Sequence, residues 1–248
     1  MRVFAAAAVG LLVAASIVVA LRLLALHRRT GAAPELLLGL MLLLSVGVGY
    51  PLLIAADRAG PGSVRPLFIV STLAVNAGFA LLFAFTWRVF RPDAAWARTL
   101  AGAGVLTLLG NAALRCADAL TEAEVRIGNE VVAESLLQTT PVLVAYLWTA
   151  WEALHYHGLM RRRARIGLAD AAVSDRFLLW GLMALCVAAG VLLNSVALTF
   201  QVEILESPGV LLGSSATGLA QALLLVLAFV PPRAYLAWVR ARASLAEA

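Results

Sequence analysis

The sequence predicts an all-α polytopic membrane protein: a seven-transmembrane-helix bundle with its N terminus outside and its C terminus cytoplasmic. Three observations lead there. The 248 residues are 62% apolar and 13% charged, with a mean hydropathy of +0.93, whereas a soluble domain has about 45–50% apolar and 25% charged residues. Seven apolar segments each reach the ~20 residues that a spanning helix needs, because hydrocarbon offers no water to satisfy backbone N–H and C=O groups. The arginines lie mostly at one end of those segments, which sets their direction.

The segments are residues 3–26, 34–56, 64–89, 96–115, 129–156, 177–200 and 209–239, forming one domain over 1–239 with a short cytoplasmic tail at 240–248. The first follows Arg2 and stops at Arg28 and Arg29. It is too long for a signal-peptide core and lacks a small-residue cleavage site before those charges, so it reads as a span. The second begins at Pro34 after Thr30 and Gly31. The third follows the turn from Asp57 to Gly62, and the fourth follows Arg91, Pro92 and Asp93. The fifth follows a polar run from Asp118 to Gly128, the sixth an arginine run after Met160, and the seventh the stretch from Glu203 to Pro208.

Cytoplasmic loops retain positive charge. The ends joined by the first, third and fifth loops, with the tail, hold most of the arginines, including the run Arg161, Arg162, Arg163 and Arg165. The opposite ends hold acids instead: Asp118, Glu122, Glu124, Glu203 and Glu206. The basic loops read as surfaces against anionic lipid headgroups rather than as nucleic-acid sites. The lipid bilayer of the plasma or inner cell membrane is the predicted surrounding, and the basic loop 161–176 is the predicted surface for a cytoplasmic protein partner.

Composition also excludes chemistry. All nineteen basic residues are arginine, so no lysine exists to form a Schiff base and covalent retinal is excluded. Two cysteines cannot make a disulfide framework, and three histidines leave little for an all-histidine metal site. No cofactor is predicted.

Polar side chains at membrane depth are costly and usually face a bundle interior or a wet cavity. Asn76 falls near mid-membrane in the third segment, with Asn111 and Arg115 toward the outer end of the fourth. Glu130, Glu134 and Gln138 repeat at i, i+4 and i+8 along one face of the fifth. Asn194 lies in the outer part of the sixth segment and Gln221 in the outer half of the seventh. The first two segments offer almost nothing comparable. The expectation is an outward-facing polar pocket among helices three to seven, with ligand-binding residues Asn76, Asn111, Arg115, Glu134, Gln138, Asn194 and Gln221, and with Arg115 and Glu134 as its charged members. Packing is the alternative for single asparagines and hydroxyls, which join helices in membranes.

A second cluster holds Trp148, Trp151, Glu152, His155, Tyr156 and His157. Glu152 and His155 share a face at i, i+3, the spacing of carboxylate-bridged metal sites in bundles. Such sites draw further carboxylates from other helices, which are missing here, so no metal is expected and Glu152 with His155 stays the alternative. The aromatic residues read as an interfacial belt.

Seven helices with an outside N terminus resemble G-protein-coupled receptors and microbial rhodopsins in topology alone. Helix number and histidine count resemble ceramidase-type zinc hydrolases, without their helical histidine spacing. A three-plus-three repeat like that of small sugar transporters fails because Pro141 has no counterpart in the first segment. The predicted function is a receptor- or sensor-like protein, more a non-enzyme than an enzyme, that binds a small ligand and acts through a separate partner. A small-molecule transporter and a metal-dependent membrane hydrolase are the alternatives.

Overall fold

The computed structural model describes residues 2–122, 125, 127, 132–168, 170–202 and 207–245. Among them it is entirely helical. In chain order the helices are α1 (Arg2–Thr30), α2 (Ala33–Asp57), α3 (Pro61–Phe90), α4 (Ala95–Thr121), α5 (Val132–Arg165), α6 (Ala171–Thr199), α7 (Pro208–Phe229) and α8 (Arg233–Leu245). Six of them, α1 to α4, α6 and α7, are long and apolar enough to cross a membrane.

Helix ends follow local chemistry. Helix α1 carries His27, Arg28 and Arg29 in its last turn, where cations meet the negative end of the helix dipole, and stops at Gly31 with φ +70°. Proline stands in the first turn of α2, α3 and α7, where its missing N–H costs no helical bond. The Asp170 carboxylate accepts from the Ala172 N–H and so caps α6.

Three boundaries differ from the sequence expectation. Helix α4 continues through Asp118 to Thr121 rather than ending at Arg115, and the Arg65 guanidinium donates to the Glu122 carbonyl at its end (2.9 Å). Helix α5 runs through Arg161, Arg162 and Arg163, so the expected basic loop 161–176 is mostly helix, with Arg176 inside α6. The apolar stretch 209–239 is broken at Pro231 and Pro232, neither of which has an N–H to donate, and α8 forms separately beyond them.

The helices pack as a ring: α1 on α2, α2 on α3, α3 on α5, α5 on α6, α6 on α7, and α7 back on α1. Helix α4 sits outside it, against α3 and α5. Glycines permit the closest approaches. A Cβ on Gly104 would stand 2.4 Å from the Phe83 ring, one on Gly49 2.4 Å from Val75, and one on Gly78 2.8 Å from Ser45. The core is aliphatic and aromatic, with Met41, Leu82, Phe83, Leu108, Met183 and Leu225 fully buried. The outside is equally apolar: Leu106 is 71% exposed and Leu223 61%. That exposure is costly in water and free in lipid.

Helix α5 is the polar member. It lies between α3, α4 and α6, and Thr149 and Glu152 are buried against its neighbours. The Thr149 and Thr86 hydroxyls lie 2.7 Å apart across α5 and α3, and Tyr146 packs edge-on against Phe79.

Candidate functional site

The site begins with a proline. Pro51 lacks an N–H and its ring crowds the carbonyl four residues back, so α2 cannot continue in regular α geometry through it. The helix widens instead into a π segment at Leu43–Gly49, and the Tyr50 N–H reaches the Ser45 carbonyl five residues back. Ser71 of α3 donates its hydroxyl to the Gly49 carbonyl at 2.8 Å, tying α3 to the widened turn.

Beside this turn lies a cavity of about 260 Å³ among α2, α3, α4, α5 and α6. Its polar lining comes from Tyr50, Ser71, Thr72, Arg115, Gln138, Thr139 and Asn194, and its apolar lining includes Val75, Phe79 and Val142. Four of the polar residues form a tier. Counted at 1.5 Å per residue from the helix ends at the mouth, Tyr50, Arg115, Gln138 and Asn194 lie about 8–10 Å deep, Ser71, Thr72 and Val142 about 15–17 Å, and Val75 and Phe79 about 21–27 Å. The mouth carries these four polar residues beside Leu53 and Phe68, and the deepest lining is apolar. The Arg115 guanidinium carbon stands 5.2 Å from the centre of the Phe68 ring, a cation–π contact that lets a cation sit at this depth. Asn194 accepts from the Ser214 hydroxyl of α7 at 2.8 Å.

Of the seven residues named from sequence, Arg115, Gln138 and Asn194 line the cavity. Asn76 is buried beside it and donates to its own Thr72 carbonyl at 2.8 Å. Asn111 is buried one turn from Arg115, and its Nδ2 has no hydrogen-bond partner among the described residues. Gln221 is buried in α7, away from the lining. Glu134 is in α5, one turn before Gln138, but its side chain, like all of Glu130, lies outside the described residues. The expected contribution from helix seven is replaced, among the described lining residues, by one from helix two. Sequence reasoning missed Tyr50, Ser71 and Thr72. Pro51 was the available signal, since a proline deep in an apolar helix marks a break in its hydrogen-bond ladder.

At the opposite, arginine-rich end the Glu152 and His155 pair is split. Glu152 is 1% exposed and accepts from Arg91 Nε at 2.8 Å, with Trp148 Nε1 at 3.4 Å, while His155 faces outward. Glu152 raises the Arg91 pKa further, by that hydrogen bond first and by its charge second. His27 binds the Ala32 carbonyl at 2.8 Å, and His157 lies 2.8 Å from the Ser174 carbonyl and 3.1 Å from its hydroxyl. The guanidinium of Arg91 takes the place where a metal ion was the alternative. No group of three or more histidine, cysteine, aspartate or glutamate side chains converges among the described residues.

The class these features define is a multi-pass helical membrane protein whose bundle encloses a half-open cavity at one end. No family model, curated protein or solved structure matches the chain.

Proposed function

We propose that this chain is a receptor- or sensor-like membrane protein with seven spans, its N terminus outside and its C terminus cytoplasmic. It holds a small amphipathic ligand in the cavity among α2 to α6. The observation that carries this reading is the cavity's gradation: Tyr50, Arg115, Gln138 and Asn194 at the mouth, Ser71 and Thr72 below them, and Val75 and Phe79 deepest. A ligand with a polar head and a short apolar body matches that gradation, and 260 Å³ sits just under the usual range of small-molecule sites, about 300–1,000 Å³. Helix α5 is the seventh span. Its 34 residues reach about 51 Å, and neighbouring helices shelter Thr149 and Glu152. The arginine distribution supports a mouth outside the cell. The π segment supplies a place where the helix can relax on binding, since such segments concentrate at functional sites. The signal passes to a separate partner at the basic end of α5 and α6.

The test is a thermal-shift series on the purified protein with medium-chain carboxylates, alcohols and amines as probes, alongside Asn194→Trp, which fills the mouth. Stabilisation of the wild type by one probe class, lost in Asn194→Trp, supports the reading. Equal response of both proteins to every probe contradicts it.

A further inference from the structure

Beyond the cavity, helix α8 at the opposite end is a second interaction surface. We propose that α8 is an interfacial helix that binds anionic phospholipid headgroups. Pro231 and Pro232 turn the chain off α7, and α8 then docks on α6 instead of projecting away. The Tyr235 hydroxyl donates to the Asp175 carboxylate in the first turns of α6, and Val239, one turn on, is buried. These two contacts fix which face of α8 looks outward.

Trp238 and Arg242 stay exposed along the flank beside Tyr235, and Arg233 lies on the far face, so the uncovered surface of α8 is aromatic and basic. Trp238 is 54% exposed, and the Arg242 guanidinium carbon lies 5.6 Å from its ring centre. Arg233 is also exposed, and α8 contains three arginines and no acidic residue. Exposed indole faces favour the headgroup layer, where the ring meets hydrocarbon and its N–H meets water. Arginine beside it forms bidentate hydrogen bonds to phosphate. Arg161, Arg162, Arg163 and Arg176 are exposed at the same end, so the charge of α8 is continuous with a positive rim. Polybasic rims of this kind select negatively charged lipid. The nearest acid, Asp175, is occupied by Tyr235, and Glu152 is buried against Arg91.

The full chain reconstituted in nanodiscs of phosphatidylcholine alone, or of phosphatidylcholine with phosphatidylglycerol, tests this. The expected result is a Tm several degrees higher with phosphatidylglycerol. That rise should shrink in high salt and be mostly lost in Arg233→Gln/Arg242→Gln and in Tyr235→Phe, which frees the helix. Brominated lipid should quench the part of the emission that disappears in Trp238→Phe. A full rise in both variants, or an unquenched Trp238, overturns the proposal. The unquenched result would mark α8 as a water-facing protein docking site.

Discussion

Glu152 shows what a single charge demands inside this bundle. One carboxylate oxygen accepts from Arg91, and the other, Oε2, has no hydrogen-bond partner among the described residues. Removing one member of a buried pair costs about 3–5 kcal/mol because the other charge is stranded, and less where water reaches it. Arg91 is 37% exposed, so Arg91→Gln is expected to cost about 1–3 kcal/mol, read as a lower Tm in detergent. Glu152→Gln should cost less, since its amide oxygen still accepts from Arg91 and leaves no buried charge. The double variant should recover part of the Arg91→Gln loss; strict additivity would show that the two do not act as a pair. Sequence periodicity marked Glu152 as a chemical residue but pointed to His155, because spacing along one helix pairs only residues of that helix. Arg91 lies 61 residues away, and only the packing of α3 on α5 brings it near. The polar tier was legible for the same reason in reverse: Arg115, Gln138 and Asn194 stand out individually as polar residues in apolar runs.

Among elements, α4 depends on a glycine. Gly104→Ala places a methyl group inside contact distance of the Phe83 ring, which is itself packed against Trp148. Overpacking of that kind costs about 1–3 kcal/mol. Gly102→Ala, with nothing within 4 Å of its added Cβ, should be neutral or stabilising. Equal Tm for the two variants would contradict the close approach of α4 to α3. Helix α8 carries a pH dependence. Burial first, and then the hydrogen bond and charge of Asp175, push the Tyr235 phenol above its ordinary value. A raised phenol pKa means that the docked state holds the proton more tightly than the undocked one. The phenol's contribution is therefore fully present below about pH 10, its ordinary value, and declines from there until the raised value is passed. Limited proteolysis near Arg233 should accelerate above that pH in the wild type and be fast at every pH in Tyr235→Phe. A pH-independent wild type would contradict the docking. Hydropathy revealed the long helices, since lipid fixes their length and composition. It joined α8 to α7 because apolar residues continue on both sides, although Pro231 and Pro232 mark the break. It also left helix two outside the pocket, because Tyr50 is an isolated polar group in an apolar run.

The whole molecule is a ring closed by α1 on α7, with a cavity at one end and an arginine-rich rim at the other. Reporter fusions test its direction: a cytoplasmic reporter joined after Ala248 should be active and a periplasmic one inactive, with the opposite pattern for insertions at residues 122–128. The central claim, a cavity open to the outside through Asn194 and Gln138, is tested most directly by thiol access. In a background with Cys116 and Cys186 replaced by alanine, Asn194→Cys should react with a membrane-impermeant thiosulfonate added to intact cells. Leu225→Cys, at a fully buried position, should not. Labelling of Asn194→Cys only from inside-out vesicles, or from neither side, would contradict the account.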